Sequence, residues 1–129
     1  MNTPTVQELY AEVTESLLKA EKLEDSGDVS EATMEYVLVS MLEEQLAERL
    51  PAADEEGAIA RRGAVSAALS AGMPERALDL AARYLDEGGS DEHLQMLREL
   101  EDSARASAAP SSDPQVLPGA RFRFRDHAA

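Results

Sequence analysis

The two histidines are the first residues to consider for chemistry in this chain. His93 lies at the start of a predicted helix and His127 lies near the C-terminus, and neither has another histidine one helical turn away. The chain also has no cysteine, whereas a zinc site needs three or four converging ligands. We therefore expect no metal site and no disulfide, with His93 as a solvated residue in the first turn of its helix.

The carboxylates are the second candidates, since the chain has 26 acidic residues. Residues 25–31 read DSGDVSE, but a calcium loop needs its glycine at the sixth position and Gly27 is the third residue here. This stretch instead predicts a turn, followed by a helix capped by Asp28 or Ser30. None of the carboxylates stands alone in an apolar run, where burial would raise its pKa. Most fall on the polar stripes of amphipathic helices, so we expect most of them on solvated faces.

Motifs of nucleotide-binding and hydrolytic enzymes are missing from the sequence. It contains no glycine-rich phosphate loop, no dinucleotide fingerprint and no nucleophile elbow. We accordingly predict no catalytic residue, no cofactor and no enzymatic activity.

The charge of the chain restricts its partners. The chain has a formal net charge of −14. Residues 1–107, with 24 acidic and 9 basic residues, carry −15, and the remaining residues carry +1. Such a body repels both nucleic-acid phosphates and anionic membranes, so we expect neither as a partner.

The N-terminus MNTPTVQELYAEV lacks the basic and apolar regions of a signal peptide, which predicts a cytoplasmic protein. Arginine outnumbers lysine ten to two, which is typical of bacterial chains from GC-rich genomes.

Apolar periodicity, helix caps and breakers predict five helices and therefore an all-α fold. The first helix opens with the capping-box spacing of Thr5 and Glu8. The second contains YVLVSML at residues 36–42, which could also form a buried strand; its polar flanks favour a largely buried helix. The third is rich in glycine and alanine, which predicts a closely packed neighbouring helix. The predicted bounds are about 5–25, 30–50, 54–71, 74–87 and 91–106, within a helical domain of residues 1–107.

Two segments of the chain resemble each other when they are aligned on their turn glycines, Gly27 and Gly72. Each glycine is followed five residues later by a small residue, and the match extends to further positions in both segments. The matched pairs are Ala32 with Ala77, Tyr36 with Ala81, Val39 with Tyr84, Ala20 with Val65 and Leu23 with Ala68. The pattern resembles the tetratricopeptide-like helical hairpin.

That resemblance implies two antiparallel hairpins, the fifth helix as a cap, and a groove that binds a peptide or helix. The turn glycines are 45 residues apart, more than the usual repeat of about 34. A generic antiparallel bundle would show the same small residues. Because two hairpins are fewer than the roughly three repeats usually needed for stability, self-association is a further expectation.

The segment RFRFR, Arg121–Arg125, follows a Ser/Pro/Ala-rich linker in the predicted tail of residues 108–129. It contains both phenylalanines of the chain, Phe122 and Phe124, alternating with three arginines. In an extended segment the arginines share one face and the phenylalanines the other. Three interpretations stay open: a solvated terminus, docking on the chain's own helices or those of a second copy, and a linear motif for a partner.

These patterns predict a small protein–protein interaction module, adaptor-like or chaperone-like, that binds a peptide or helix. The candidate partner-binding residues are Tyr36, Val39, Arg61, Arg62, Tyr84, Arg121, Phe122, Arg123, Phe124 and Arg125. The adjacent Arg61 and Arg62 could bind a carboxylate, although contacts within their own helix to acids such as Glu55 are the more frequent role of such pairs. The alternative function is an acidic, antitoxin-like regulator that masks a basic target surface.

Overall fold

The computed structural model describes residues 3–109, and these residues form five α-helices and no strand. The all-α prediction is therefore confirmed, and helix rather than strand is confirmed for residues 36–42. The helices are α1 (Val6–Asp25), α2 (Val29–Arg49), α3 (Glu55–Ser70), α4 (Pro74–Glu87) and α5 (Asp91–Ala108).

The helix ends follow local capping chemistry. Thr5 caps α1 as a capping box: its side chain accepts a hydrogen bond from the Glu8 amide at 3.0 Å, and the Glu8 carboxylate accepts one from the Thr5 amide at 2.9 Å. Pro74 occupies the first position of α4, where its missing N–H costs nothing. Ser90 caps α5 by accepting a hydrogen bond from the His93 amide at 3.1 Å.

The two turns that align in the sequence have the same geometry. Gly27 and Gly72 both have positive φ, at 86° and 72°, as residues after a helix C-terminus commonly do. The following amides close equivalent rings: Asp28 N–H donates to the Leu23 carbonyl and Met73 N–H to the Ala68 carbonyl. The small residues five positions after each glycine, Ala32 and Ala77, are fully buried in both segments (below). The similarity of the two segments therefore extends from sequence to turn structure.

Packing proceeds from each helix to the next, with α3 in the centre. Helix α1 packs against α2, α2 against α3, α3 against both α4 and α5, and α4 against α5. Nearly all of α3 beyond its first turn is buried, and its small side chains allow this close approach, as the sequence predicted. The larger core cluster includes Leu9, Val39, Leu46, Val65, Leu80 and Leu97, and a second cluster joins Ala20, Ala32, Tyr36 and Ala71. Ala77 belongs to the larger cluster and is also fully buried.

Within residues 3–109, none of the five helices has both the length and the apolar character needed to cross a membrane.

Candidate functional site

Large apolar side chains are exposed mainly on one helix. The exposed set in the described part of the chain is Leu18, Val29, Met34, Leu38, Met41, Ile59 and Met73, and four of these lie on α2. Met34, Leu38 and Met41 are 72%, 42% and 49% exposed. Their spacing of four and three residues places them on one side of the helix. We call these three residues the outer face of α2.

The outer face exists because α2 has more apolar residues than the core can cover. Its opposite side buries Tyr36, Val39, Leu42 and Leu46 against the neighbouring helices. The prediction that α2 is largely buried is therefore wrong for the side that carries the two methionines. Contiguous exposed apolar surface with a polar border is typical of a protein-binding site. Methionine suits such a surface because its flexible side chain adapts to different partners.

Ion pairs border the outer face along both edges of α2. Along one edge, the Lys19 ammonium of α1 lies 3.6 Å from the Glu35 carboxylate. Along the other, the two carboxylate oxygens of Glu44 each accept a hydrogen bond of 2.7 Å from Arg76 and Arg83 of α4. An apolar centre with a polar rim is the usual organisation of a protein interface.

The Glu44 carboxylate stays ionised at neutral pH. Its partial burial alone would raise its pKa, but the hydrogen bonds and charges of Arg76 and Arg83 outweigh that effect and lower it. Arg76 also donates to the Ser40 hydroxyl at 3.0 Å, and that hydroxyl donates to the Ala64 carbonyl at 2.8 Å. This network fixes the orientation of α2 relative to α3 and α4, so the outer face is presented by a rigid helix.

Two of the carboxylates that border the outer face have no ion-pair partner. Besides Glu35 and Glu44, the exposed Glu31 and Glu48 lie on α2 at helical positions that flank the stripe. Of these four, Glu35 and Glu44 form ion pairs, whereas Glu31 and Glu48 form none within residues 3–109. The face therefore favours an apolar ligand that carries positive charge at its edges.

Three of the predicted partner-binding residues belong to the core. Tyr36, Val39 and Tyr84 are buried, and the Tyr36 hydroxyl donates to the Glu24 carboxylate at 3.2 Å. In this conformation their side chains offer no area to a partner. They lie on the sides of α2 and α4 that the neighbouring helices cover.

Arg61 joins three helices instead of facing solvent. Its buried guanidinium donates to the Glu87 carboxylate at 2.7 Å and to the carbonyls of Leu50 and Gly57 at 2.8 and 2.9 Å. It also lies 5.7 Å from the centre of the Tyr84 ring, within the range of a cation–π interaction. Its donors are thus used inside the protein, with Glu87 rather than Glu55 as the acidic partner.

We expect Arg61→Lys to destabilise the fold by about 2 kcal/mol, because lysine cannot reproduce the planar fork and leaves a buried carbonyl without a donor. Urea unfolding monitored by circular dichroism measures the change. Arg98→Lys is the matched control: Arg98 is exposed and has only a 3.5 Å contact to Gln95, so its substitution should change stability by less than about 0.5 kcal/mol. Equal effects of the two substitutions would contradict the structural role of Arg61.

Arg62 contacts the buried His93 ring, and the prediction of a solvated His93 is wrong. His93 Nδ1 lies 3.0 Å from the Arg62 guanidinium. Burial, and then the charges of Arg62 and Arg61, lower the pKa of His93, so the ring is neutral and Nδ1 accepts the hydrogen bond.

Next to this pair is an open cleft of about 270 Å³ between the starts of α3 and α5. Asp54, Glu55 and Glu92 also line it, which gives it no uniform charge for a simple anion or cation.

Glu43 is buried, although the sequence predicted mostly solvated carboxylates and none with a pKa raised by burial. It is 7% exposed, and its Oε2 lies only 1.9 Å from the position that a Cβ on Gly63 would occupy. Burial raises the pKa of Glu43 to about 8. It does not line the cleft beside Arg62 and His93, so we assign it no catalytic role. Across residues 3–109 no group of three histidine, aspartate or glutamate side chains could hold a metal ion.

The five predicted tail residues, Arg121–Arg125, lie outside the described residues.

Comparison of the chain with protein-family models, with curated proteins and with solved structures finds no match. The tetratricopeptide-like resemblance therefore stays a prediction.

The sequence reasoning did not predict the outer face of α2. The available signal was the helical spacing of Met34, Leu38 and Met41 in a helix whose centre is apolar on all sides.

Proposed function

We propose that this protein is a protein-binding module, adaptor-like or chaperone-like, and that the outer face of α2 is its contact surface. The observation that carries the proposal is the stripe of Met34, Leu38 and Met41, which is exposed inside a polar rim where Glu31 and Glu48 have no ion-pair partner. Apolar side chains in this position cost solubility, so a bound ligand explains their exposure better than packing does.

The partner is an amphipathic segment with an apolar stripe and basic edges. Its stripe packs on the two methionines and Leu38, and its arginines or lysines lie against Glu31 and Glu48. Binding of a helix along an apolar helix face uses anchors at the same spacing as the stripe itself. A basic partner also associates faster with a body of net charge −15.

A designed peptide tests this function. The probe is a synthetic helix with leucines on one side and arginines on both flanks, titrated calorimetrically into the full-length protein. We expect binding by the wild-type chain and at least tenfold weaker binding by Leu38→Glu, because a carboxylate would be desolvated at the centre of the contact.

The matched control is Ile59→Glu. Ile59 is 49% exposed, comparable to Leu38, but lies on α3, so its substitution should leave the affinity unchanged. A peptide with glutamates in place of its arginines should not bind. If Leu38→Glu and Ile59→Glu bind the basic peptide equally well, the outer face is not the contact surface.

The masking alternative predicts a different response to salt. Binding through the apolar stripe retains most of its affinity when ionic strength is raised, because salt screens only the charged rim. Masking of a basic surface by charge alone would lose its affinity steeply over the same range. The same titration, repeated at low and high salt, therefore separates the two functions.

A further inference from the structure

We propose that the segment Arg121–Arg125 of this chain binds to the outer face of α2 in the same molecule and covers it until a partner displaces it. The inference rests on the proposed function, since it assigns the chain's own segment to the same surface. It makes the protein self-regulated: the partner must compete with the tail.

The chemistry of the segment matches the ligand that the outer face favours. Phe122 and Phe124 supply two large apolar groups, and the three arginines supply a charge of +3. In an extended segment, alternate side chains on one face lie about 7 Å apart. Successive residues of the α2 stripe are separated by about 6 Å and 4.5 Å along the helix axis. The two phenylalanines can therefore pack between the three apolar side chains.

The combination of exposed apolar side chains with carboxylates that lack ion pairs favours this surface over the rest of the described molecule. The alternate face of the segment places its arginines toward solvent and the rim, where Glu31 and Glu48 have no basic partner among the ion pairs of residues 3–109. Each phenylalanine buries about 150–250 Å² when it finds a pocket. No other helix of the described chain has three exposed large apolar side chains.

The position where the described chain ends makes the contact reachable. Helix α5 packs against α4 after a short connection at Gly88–Ser90, so it runs back toward the start of α4. The start of α4 lies beside the middle of α2, because Arg76 bonds to Ser40 and Glu44. Helix α3 packs against both α5 and α2, so two helix spacings of 8–10 Å, roughly 20 Å, separate α5 from α2. The outer face lies about one helix radius, roughly 5 Å, further out. The linker of residues 110–120 spans up to about 36 Å when extended.

Methyl NMR of the full-length chain tests the proposal. The protein has five methionines, so a methionine-labelled sample gives a small set of signals that includes Met34 and Met41 in the outer face and Met96 on α5. We expect the double substitution Phe122→Ser with Phe124→Ser to shift the Met34 and Met41 signals and to leave Met96 unchanged. Val116→Ser with Leu117→Ser, a control in the same tail, should shift none of the three.

Dilution and a peptide titration separate the remaining outcomes. Shifts that persist on serial dilution support docking within one molecule, whereas shifts that disappear on dilution assign the tail to a second copy and overturn the proposal. Unchanged Met34 and Met41 signals also overturn it. The proposed function has its own readout, because binding of the basic peptide to the outer face continues without tail docking. If the tail covers the face nine-tenths of the time, the double variant binds that peptide about tenfold more tightly.

Discussion

Glu43→Gln is expected to stabilise the protein above about pH 4.5, by an amount that grows until about pH 8. In the unfolded chain Glu43 has its ordinary pKa of 4.5, and burial raises its pKa in the fold to about 8. The fold therefore holds the proton more tightly than the unfolded chain does. The resulting stabilisation is fully present below about pH 4.5 and is lost as the pH rises to about 8, at roughly 1.4 kcal/mol per pH unit.

The neutral glutamine removes this penalty. Above pH 8 the variant should exceed the wild type by on the order of 5 kcal/mol, while below pH 4.5 the two should differ little. Tyr10 interacts electrostatically with Glu43, and its raised pKa, caused first by burial and then by the charge of Glu56 and Glu43, keeps it neutral throughout this range.

Urea unfolding at several values between about pH 4 and pH 9 measures the difference. Glu48→Gln on the exposed side of the same helix is the control, and it should show the wild-type pH dependence. A Glu43→Gln variant with the same slope as the wild type would mean that Glu43 is solvated and that its burial has been misassigned.

Gly57→Ala should cause the largest loss of stability among single-methyl additions in α3. A Cβ at residue 57 would lie 1.9 Å from the Pro51 carbonyl oxygen and 3.0 Å from that of Leu50. Both atoms are backbone, so the connection between α2 and α3 must shift as a whole. The gain in helix propensity is about 1 kcal/mol, and we expect the overpacking to exceed it, for a net destabilisation of about 2–3 kcal/mol.

Gly63→Ala provides the comparison within the same helix. Its added Cβ would meet the carboxylate of Glu43, the end of a flexible side chain that can move aside. Thermal unfolding should therefore rank the wild type and Gly63→Ala well above Gly57→Ala. A Gly57→Ala variant at least as stable as the wild type would contradict the close approach of α3 to the preceding connection.

The sequence predicted the helices well because their ends depend on local chemistry. The Thr5–Glu8 capping box, the turn glycines and Pro74 each act within a few residues of the bond that they make or prevent. The predicted close packing of α3 is confirmed as well, because its glycines and alanines let neighbouring helices approach.

Burial of polar groups could not be predicted from the sequence because it depends on contacts between distant segments. Glu43 is covered by α3 at Gly63, which lies 20 positions further along the chain. His93 meets Arg62 across 31 positions. In α2, apolar residues occur on all sides, so periodicity alone could not tell which side faces the core. Tyr36 and Val39 were assigned to the binding surface, whereas the core takes them and leaves Met34, Leu38 and Met41 outside.

Chemical-shift mapping tests the central claim most directly. The basic amphipathic peptide is titrated into methionine-labelled full-length protein, and the signals of Met34, Met41 and Met96 are followed. Binding to the outer face of α2 predicts saturable shifts of Met34 and Met41, with Met96 unaffected, and loss of these shifts in Leu38→Glu. Saturable peptide binding that leaves Met34 and Met41 unchanged would place the contact elsewhere and contradict the account.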